Sequence, residues 1–313
     1  MVVKVGSNII AEEGGLNRRR ISAIARQLSE LHSEGHRIVL VSSGAIAAGM
    51  VKLGLKKRPH EIQLKQAAAA VGQSTLMWFY EKRFSRYNKK VAQVLLTRDA
   101  FYDRVRYINA RNTFMTLLQM GVIPIVNEND TVAIDEIKFG DNDQLAALVA
   151  ASVEADRLII LSDVEGLFTS DPKKDTSARL IEEVRGFDNT IEQIAKPTTG
   201  QFGTGGMYSK VLAAKKAVQF GIKVHIINGH RPSLIKKIME GKKAGTVFLP
   251  LRQKVSARKT WIALGTKSKG SLVIDEGAAE AILHKNRSLL PGGILKVQGR
   301  FQRGDAVYCV DTK

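Results

Sequence analysis

MVVKVGSNIIAEEGGLNRRRISAIARQLSELHSEGHRIVLVS, residues 1–42, holds two short β-branched runs separated by one amphipathic pattern. VVKV (2–5) and RIVLVS (37–42) carry apolar residues at mostly consecutive positions, as strands covered on both faces do. Between them Ile21, Ile24, Ala25, Leu28 and Leu31 recur at helical spacing until Gly35 stops the pattern. Strand, helix and strand in this order make a crossover unit whose two strands lie parallel. The same texture continues along the chain. VAQVLL (91–96), VIPIV (122–126), RLIILS (157–162) and KVHIIN (223–228) read as buried strands, and residues 61–86, 104–120, 143–155 and 207–220 as helices. The expected fold is a three-layer α/β/α sandwich with an open, mostly parallel sheet, its functional groups at the carboxyl ends of the strands.

The remainder of the composition fits such a fold. A chain of 313 residues with 44% apolar residues can bury a sizeable core, which excludes disordered and collagen-like classes. No uninterrupted apolar run approaches the ~18 residues of a membrane-spanning helix, and MVVKVGSN turns polar too soon for a secretory leader, so a cytoplasmic protein is expected. Cys309 is the only cysteine, which allows neither an internal disulfide nor a Cys-based zinc site. His32 and His36 are separated by the helix-stopping Gly35 and have no Cys or His nearby, so zinc and hydrolytic chemistry are disfavoured.

After Pro250 the texture changes to shorter strand-like pieces, WIALG, SLVID, GILKVQG and DAVYCV, joined through a basic linker near 250–258, so a second, β-rich domain is expected. The net charge of +18 is shared unevenly: from residue 251 onward 12 Lys or Arg face 5 acids, a surplus of 7 on a fifth of the chain. Such a surplus suits a phosphorylated substrate or a nucleic acid, although no aromatic stacking pattern interleaves with the basic residues.

The strand exits carry the chemistry. Lys4 and Gly6 close the first strand, and SSGAIAAG (42–49) closes the second. In SSGAIAAG the glycine turn is either an N–H cradle for an anion or a close-packed strand-to-helix turn; Met50 stands where a P-loop would need lysine. VNEND (126–130) and GDND (140–143) are two carboxylate-amide clusters within eighteen residues. Asp141 suits helix capping, and Asn127, Asp130, Asn142 and Asp143 suit a ligand. SDVEGLFTSDP (162–172) follows another strand, and GTGGMYSK (203–210) places a glycine cradle before a helix with Lys210 one turn inside. Two lysines, several N–H cradles and a polar pocket without a general-base histidine point to phosphoryl transfer. The favoured acceptor is a carboxylate, ionised at neutral pH and in need of no base.

VVKVGSN, VSSGAIAAG, PIVNENDTV with EIKFGDNDQLAALVA, LSDVEGLFTSDP and GTGGMYSK, in this order, resemble the glutamate 5-kinases of the amino acid kinase family over the first 250 residues. DEGAAEAIL, SLLPGGI and GRFQRGDAV resemble a PUA module. The resemblance implies an amino acid kinase domain over 1–250 and a PUA-like domain over 258–313, cut short because the family's module would continue past Lys313. It further implies ATP-dependent phosphorylation of the γ-carboxylate of L-glutamate, towards proline. Lys4 and Lys210 would contact the transferred group and Asp143 would orient them. Ser43, Asn127, Asp130 and Asn142 would hold glutamate, with Asp130 at its ammonium. Lys4, Ser162, Asp163 and the loop of Thr204, Gly205, Gly206, Met207, Tyr208, Ser209 and Lys210 would hold ATP. Magnesium would arrive on the nucleotide phosphates, with no protein ligand assigned to it. Feedback by proline, a homo-oligomer (dimer or tetramer) and RNA at the PUA-like tail belong to the same implication. The alternatives are a sibling kinase for carbamate, aspartate, acetylglutamate or uridylate, and an RNA-binding PUA protein.

Overall fold

The structure, a computed structural model, describes residues 1–12, 15–132, 142–172, 174–187, 191, 193–194, 206–250, 268–285, 287–302 and 305–311. β1 (Val2–Val5) leads into one helical turn, α1 (Ser7–Ile10), and a small hairpin of β2 (Ala11–Glu12) and β3 (Gly15–Leu16). α2 (Arg18–Ser33) starts at Asn17, whose side chain accepts the Arg20 backbone N–H and so satisfies one of the orphan donors of the first turn. The chain then runs through β4 (Val39–Ser42), α3 (Ala45–Lys52), α4 (Ile62–Phe84), β5 (Val91–Leu96), α5 (Arg104–Gln119), β6 (Ile123–Glu128), α6 (Asn142–Ser152) and β7 (Arg157–Ser162). β8 (Glu183–Arg185), α7 (Met207–Gln219), β9 (Lys223–Asn228), α8 (Leu234–Met239) and β10 (Thr246–Leu249) complete the large sheet and its cover.

Eight strands form that sheet in the order β5-β6-β4-β1-β7-β9-β10-β8. The six runs expected from the sequence are all in it and mutually parallel. β8 and β10 were not expected. β10 joins antiparallel to β9, and β8 pairs parallel with β10 at the edge. The pleat sends successive side chains to opposite faces. Val2, Val39, Val41, Leu158 and Ile160 pack with α6 and α7, while Val3, Val5, Leu40, Ile159 and Leu161 pack on the other side with α2 and α4. Both faces are covered, as the three-layer expectation requires.

A second sheet, in the order β12-β11-β13, is built from β11 (Gly270–Ile274), β12 (Ile294–Gly299) and β13 (Tyr308–Val310). SLVID, GILKVQG and DAVYCV thus supply strands, whereas WIALG and residues 251–258 lie outside the described residues. α9 (Glu276–Leu283), capped by the Asp275 carboxylate on the Ala278 N–H, was not expected. Among the described residues no helix is long and apolar enough to cross a membrane.

Candidate active site

The chain adds β4 on one side of β1 and later β7 on the other, so the carboxyl end of β1 opens into the crevice between the two halves of the sheet. Lys4 stands at that end, and strand alternation places it on the same face as Val2, towards α6 and α7. Asp143 lies in the first turn of α6 and Lys210 one turn into α7. The three meet. Lys4 Nζ is 2.5 Å from Asp143 Oδ1, Lys210 Nζ is 3.2 Å from Oδ2, and the Ser209 hydroxyl donates to Oδ2 at 2.9 Å. The side chains of Lys4, Asp143 and Lys210 are only 4%, 0% and 7% exposed, so these charges act with little screening by water.

Burial pushes the Asp143 carboxyl up, but the ammoniums of Lys4 and Lys210, with hydrogen bonds from Lys4 and Ser209, outweigh it and hold the carboxyl well below the usual range. Its place at the start of α6 adds the favourable end of the helix dipole. Two ammoniums against one carboxylate leave this trio one positive charge in excess, at a point where an anion can approach. A Cβ at Gly6 would stand 3.4 Å from Lys4 Nζ, so glycine keeps the space beside that ammonium clear.

Next to the trio is a cleft of about 270 Å³ whose lining includes all four residues expected to hold an acceptor, Ser43, Asn127, Asp130 and Asn142. Asn142 Nδ2 donates to Ser43 Oγ at 3.1 Å and to Asn127 Oδ1 at 2.8 Å, and Asn127 Nδ2 donates to Gln73 Oε1 at 2.9 Å. Asn127 is therefore engaged from both sides, by Asn142 and by Gln73. The strand-to-helix turn expected in SSGAIAAG falls at Gly44. Gly44 takes a φ of 108°, a left-handed conformation that lets β4 turn directly into α3, and the first turn of α3 lines the cleft. Gly49 instead serves packing, since a Cβ there would fall 1.7 Å from the Ala68 carbonyl oxygen on α4.

Ser162 and Asp163 stand at the carboxyl end of β7. Asp163 Oδ2 accepts from Asn8 Nδ2 at 3.2 Å, and Asn8 also lines the cleft, which connects the two regions. Burial opposes ionisation of Asp163, yet the Asn8 hydrogen bond, backbone donation and the Lys210 charge hold its carboxyl below the ordinary value. Gly206 precedes α7 without a side-chain cap, leaving backbone donors of the first turn for a ligand. Met207 and Tyr208 are partly buried and pack against the core. Thr204, Gly205 and Asp141 lie outside the described residues. Sequence reasoning missed Asn8, Gln73 and the link from Ser209 to Asp143. Asn8 had a signal in its position two residues after Gly6; Gln73, inside an alanine-rich helix, had none.

Residues 1–228 match the amino acid kinase family, and residues 270–313 match the PUA domain. The chain belongs to the amino acid kinase family. A protein named glutamate 5-kinase from Syntrophotalea carbinolica is 48% identical over 313 residues, covering 100% of this chain and 84% of the relative. Another of that name, from Thermoanaerobacter sp., is 49% identical over 312 residues, covering 99% of this chain and 84% of its own. Among solved structures, the UMP kinase from Bacillus anthracis superposes with a TM-score of 0.54 at 17% identity, over 82% of this chain and 98% of that one. The carbamate kinase from Giardia lamblia bound to AMP-PNP gives 0.57 at 17%, over 79% and 97%. These two likenesses extend the amino acid kinase fold and nothing finer to this chain.

Proposed function

We infer that the protein transfers the γ-phosphoryl group of ATP to the γ-carboxylate of L-glutamate, forming γ-glutamyl phosphate and ADP, the glutamate 5-kinase reaction that opens proline biosynthesis. The observation that carries this reading is the buried Asp143 held between Lys4 and Lys210 at the edge of a cleft of amides and carboxylates. Full-length identity near one half to proteins of that name supports the choice of acceptor.

The ionised γ-carboxylate forms a bond to Pγ as the bond from Pγ to the β,γ-bridging oxygen breaks, and ADP departs with that electron pair. No proton has to move. The work left for the protein is alignment and charge neutralisation. Lys4 and Lys210 meet the charge developing on the transferred group, and Asp143 keeps both ammoniums aimed at one point. Ser43 and Asn142 orient the acceptor carboxylate, Asn127 steadies Asn142, and Asp130 pairs with the glutamate ammonium. Ser162, Asp163 and the start of α7 receive the nucleotide. Asp143 already binds both ammoniums, an arrangement that fits magnesium carried in on the ATP phosphates with its own water.

The test is hydroxamate formation: enzyme, ATP, magnesium, glutamate and hydroxylamine give γ-glutamyl hydroxamate if an acyl phosphate forms. ADP release with carbamate, aspartate, acetylglutamate and UMP in place of glutamate completes the comparison. Turnover is expected with glutamate alone, and faster release with any other acceptor would overturn the assignment. Inhibition by added proline and a dimer or tetramer in sedimentation are the expected companions of the activity.

A further inference from the structure

The acceptor cleft contains an asymmetry that the residues assigned so far leave unexplained. Among the described residues, three carboxylates line it, Glu12, Glu128 and Asp130, and one cationic side chain, Arg58. Glutamate brings two carboxylates and one ammonium. Its γ-carboxylate belongs at the Ser43–Asn142 end, beside the lysines, and its ammonium at the acidic residues. The α-carboxylate then has to lie among those same acidic groups, where like charge would reject it unless a cation stands opposite.

Arg58 lies in the loop between α3 and α4, and Pro59 after it biases its backbone towards an extended conformation, away from continuing the preceding helix. Among the described residues its guanidinium makes no hydrogen bond and no ion pair, although three carboxylates share its cleft. The neighbouring Lys56 and Lys57 do not line the cleft. A planar guanidinium with paired N–H groups suits two-point recognition of a carboxylate. We propose that Arg58 binds the α-carboxylate of the acceptor and thereby sets selectivity for an α-amino acid over a simple ω-amino acid or an α-amide. The proposal rests on glutamate being the acceptor, and it adds a residue that the catalytic trio does not require.

The experiment compares L-glutamate with L-isoglutamine, in which the α-carboxylate is an uncharged carboxamide and the γ-carboxylate is retained, and with 4-aminobutyrate, which lacks the α-carboxylate. Each is assayed for hydroxamate formation with the wild type, Arg58→Met and Arg58→Lys. The wild type should prefer glutamate over isoglutamine strongly. Arg58→Met should raise the KM for glutamate by roughly 10- to 100-fold, the range for losing a hydrogen bond to a charged group. It should leave kcat and the KM for ATP near wild type, and glutamate and isoglutamine should become nearly equivalent substrates. Arg58→Lys should recover part of the preference, and thermal unfolding of both variants should match the wild type because Arg58 is exposed. A wild-type preference undiminished in Arg58→Met would overturn the proposal while leaving the glutamate kinase assignment standing. Absence of hydroxamate from the wild type would overturn both.

Discussion

Asp143 is a buried acid that has to remain charged, and two ammoniums are what make this tenable. Removing one partner of a buried ion group leaves an uncompensated charge, at a cost of about 3–5 kcal/mol. Asp143→Asn should therefore lose both stability and turnover. Lys210→Ala leaves Asp143 paired with Lys4, so the fold should survive while kcat drops by roughly 10² or more, the usual loss when a preorganised charge is taken from a transition state. Steady-state kinetics on the folded Lys210→Ala protein check this, and near-normal turnover would remove Lys210 from the chemistry. His225 is buried on β9 with no stated role in the site. Burial, then the charges of Arg157 and Lys223, lowers its imidazole from an ordinary 6.5 to about 4. A depressed histidine stays neutral in the folded state, so its contribution to stability is complete above pH 6.5 and is lost as the pH falls from 6.5 towards 4. That interval corresponds to about 3 kcal/mol. Urea unfolding of His225→Leu at pH 7 and at pH 5 should show a weaker pH dependence than the wild type. Equal slopes would mean that other groups govern acid sensitivity.

At the scale of elements, the α3–α4 pair joins packing to the acceptor cleft. Gly49 on α3 faces the Ala68 carbonyl of α4, and a Cβ at Gly72 on α4 would fall 1.8 Å from the Ala45 carbonyl of α3. The helices touch through backbone. Gly49→Ala must push them apart, which should destabilise by about 1–3 kcal/mol as overpacking does. Because the first turn of α3 lines the cleft, the KM for glutamate should rise more than that for ATP. Thermal unfolding and the two KM values read this directly, and an unchanged melting temperature would refute the close approach. The role of Gly49 could not be read from SSGAIAAG alone, because a close approach needs both surfaces and the sequence lays out one at a time. The six expected strands were legible for the opposite reason. β1, β4, β6, β7 and β9 are buried along most of their length and therefore largely apolar whatever their neighbours are, while β5, a half-buried edge strand, was legible from its apolar run VAQVLL. β8 and β10, at 3 and 4 residues, are too short for any period to emerge, and α9 is built largely of small residues that mark no face. The lysine-aspartate trio was nameable from its motifs. Ser209 as a third donor to Asp143, and Gln73 behind Asn127, depend on distances only the fold supplies.

For the whole molecule, the question is how much chain the kinase core needs. The family match ends at residue 228, yet the large sheet does not. β10 pairs antiparallel with β9 through Thr246, Val247 and Phe248, and it carries β8 on its other side. Phe248 is fully buried and stacks on Phe187 at 5.5 Å, and the Thr246 hydroxyl accepts the Leu167 N–H at 2.8 Å. A cut at residue 228 removes all of this. It exposes the long edge of β9, opens the core around Phe187 and leaves β8 without its neighbour, at a cost of several kcal/mol for Phe248 alone. A cut after Leu249 keeps the eight strands, every proposed catalytic and binding residue, and none of the three-stranded sheet, which shares no strand with the large one. We therefore propose a kinase domain of residues 1–250 and a separate PUA domain after the linker. Residues 1–249 should unfold cooperatively and form γ-glutamyl hydroxamate with a kcat close to that of the full chain. Residues 1–228 should be insoluble or unfolded. Both fragments are to be expressed side by side and compared by thermal unfolding and hydroxamate assay. An inactive but soluble 1–249 fragment would mean that the C-terminal sheet supports the active site, and the two domains would then be one functional unit.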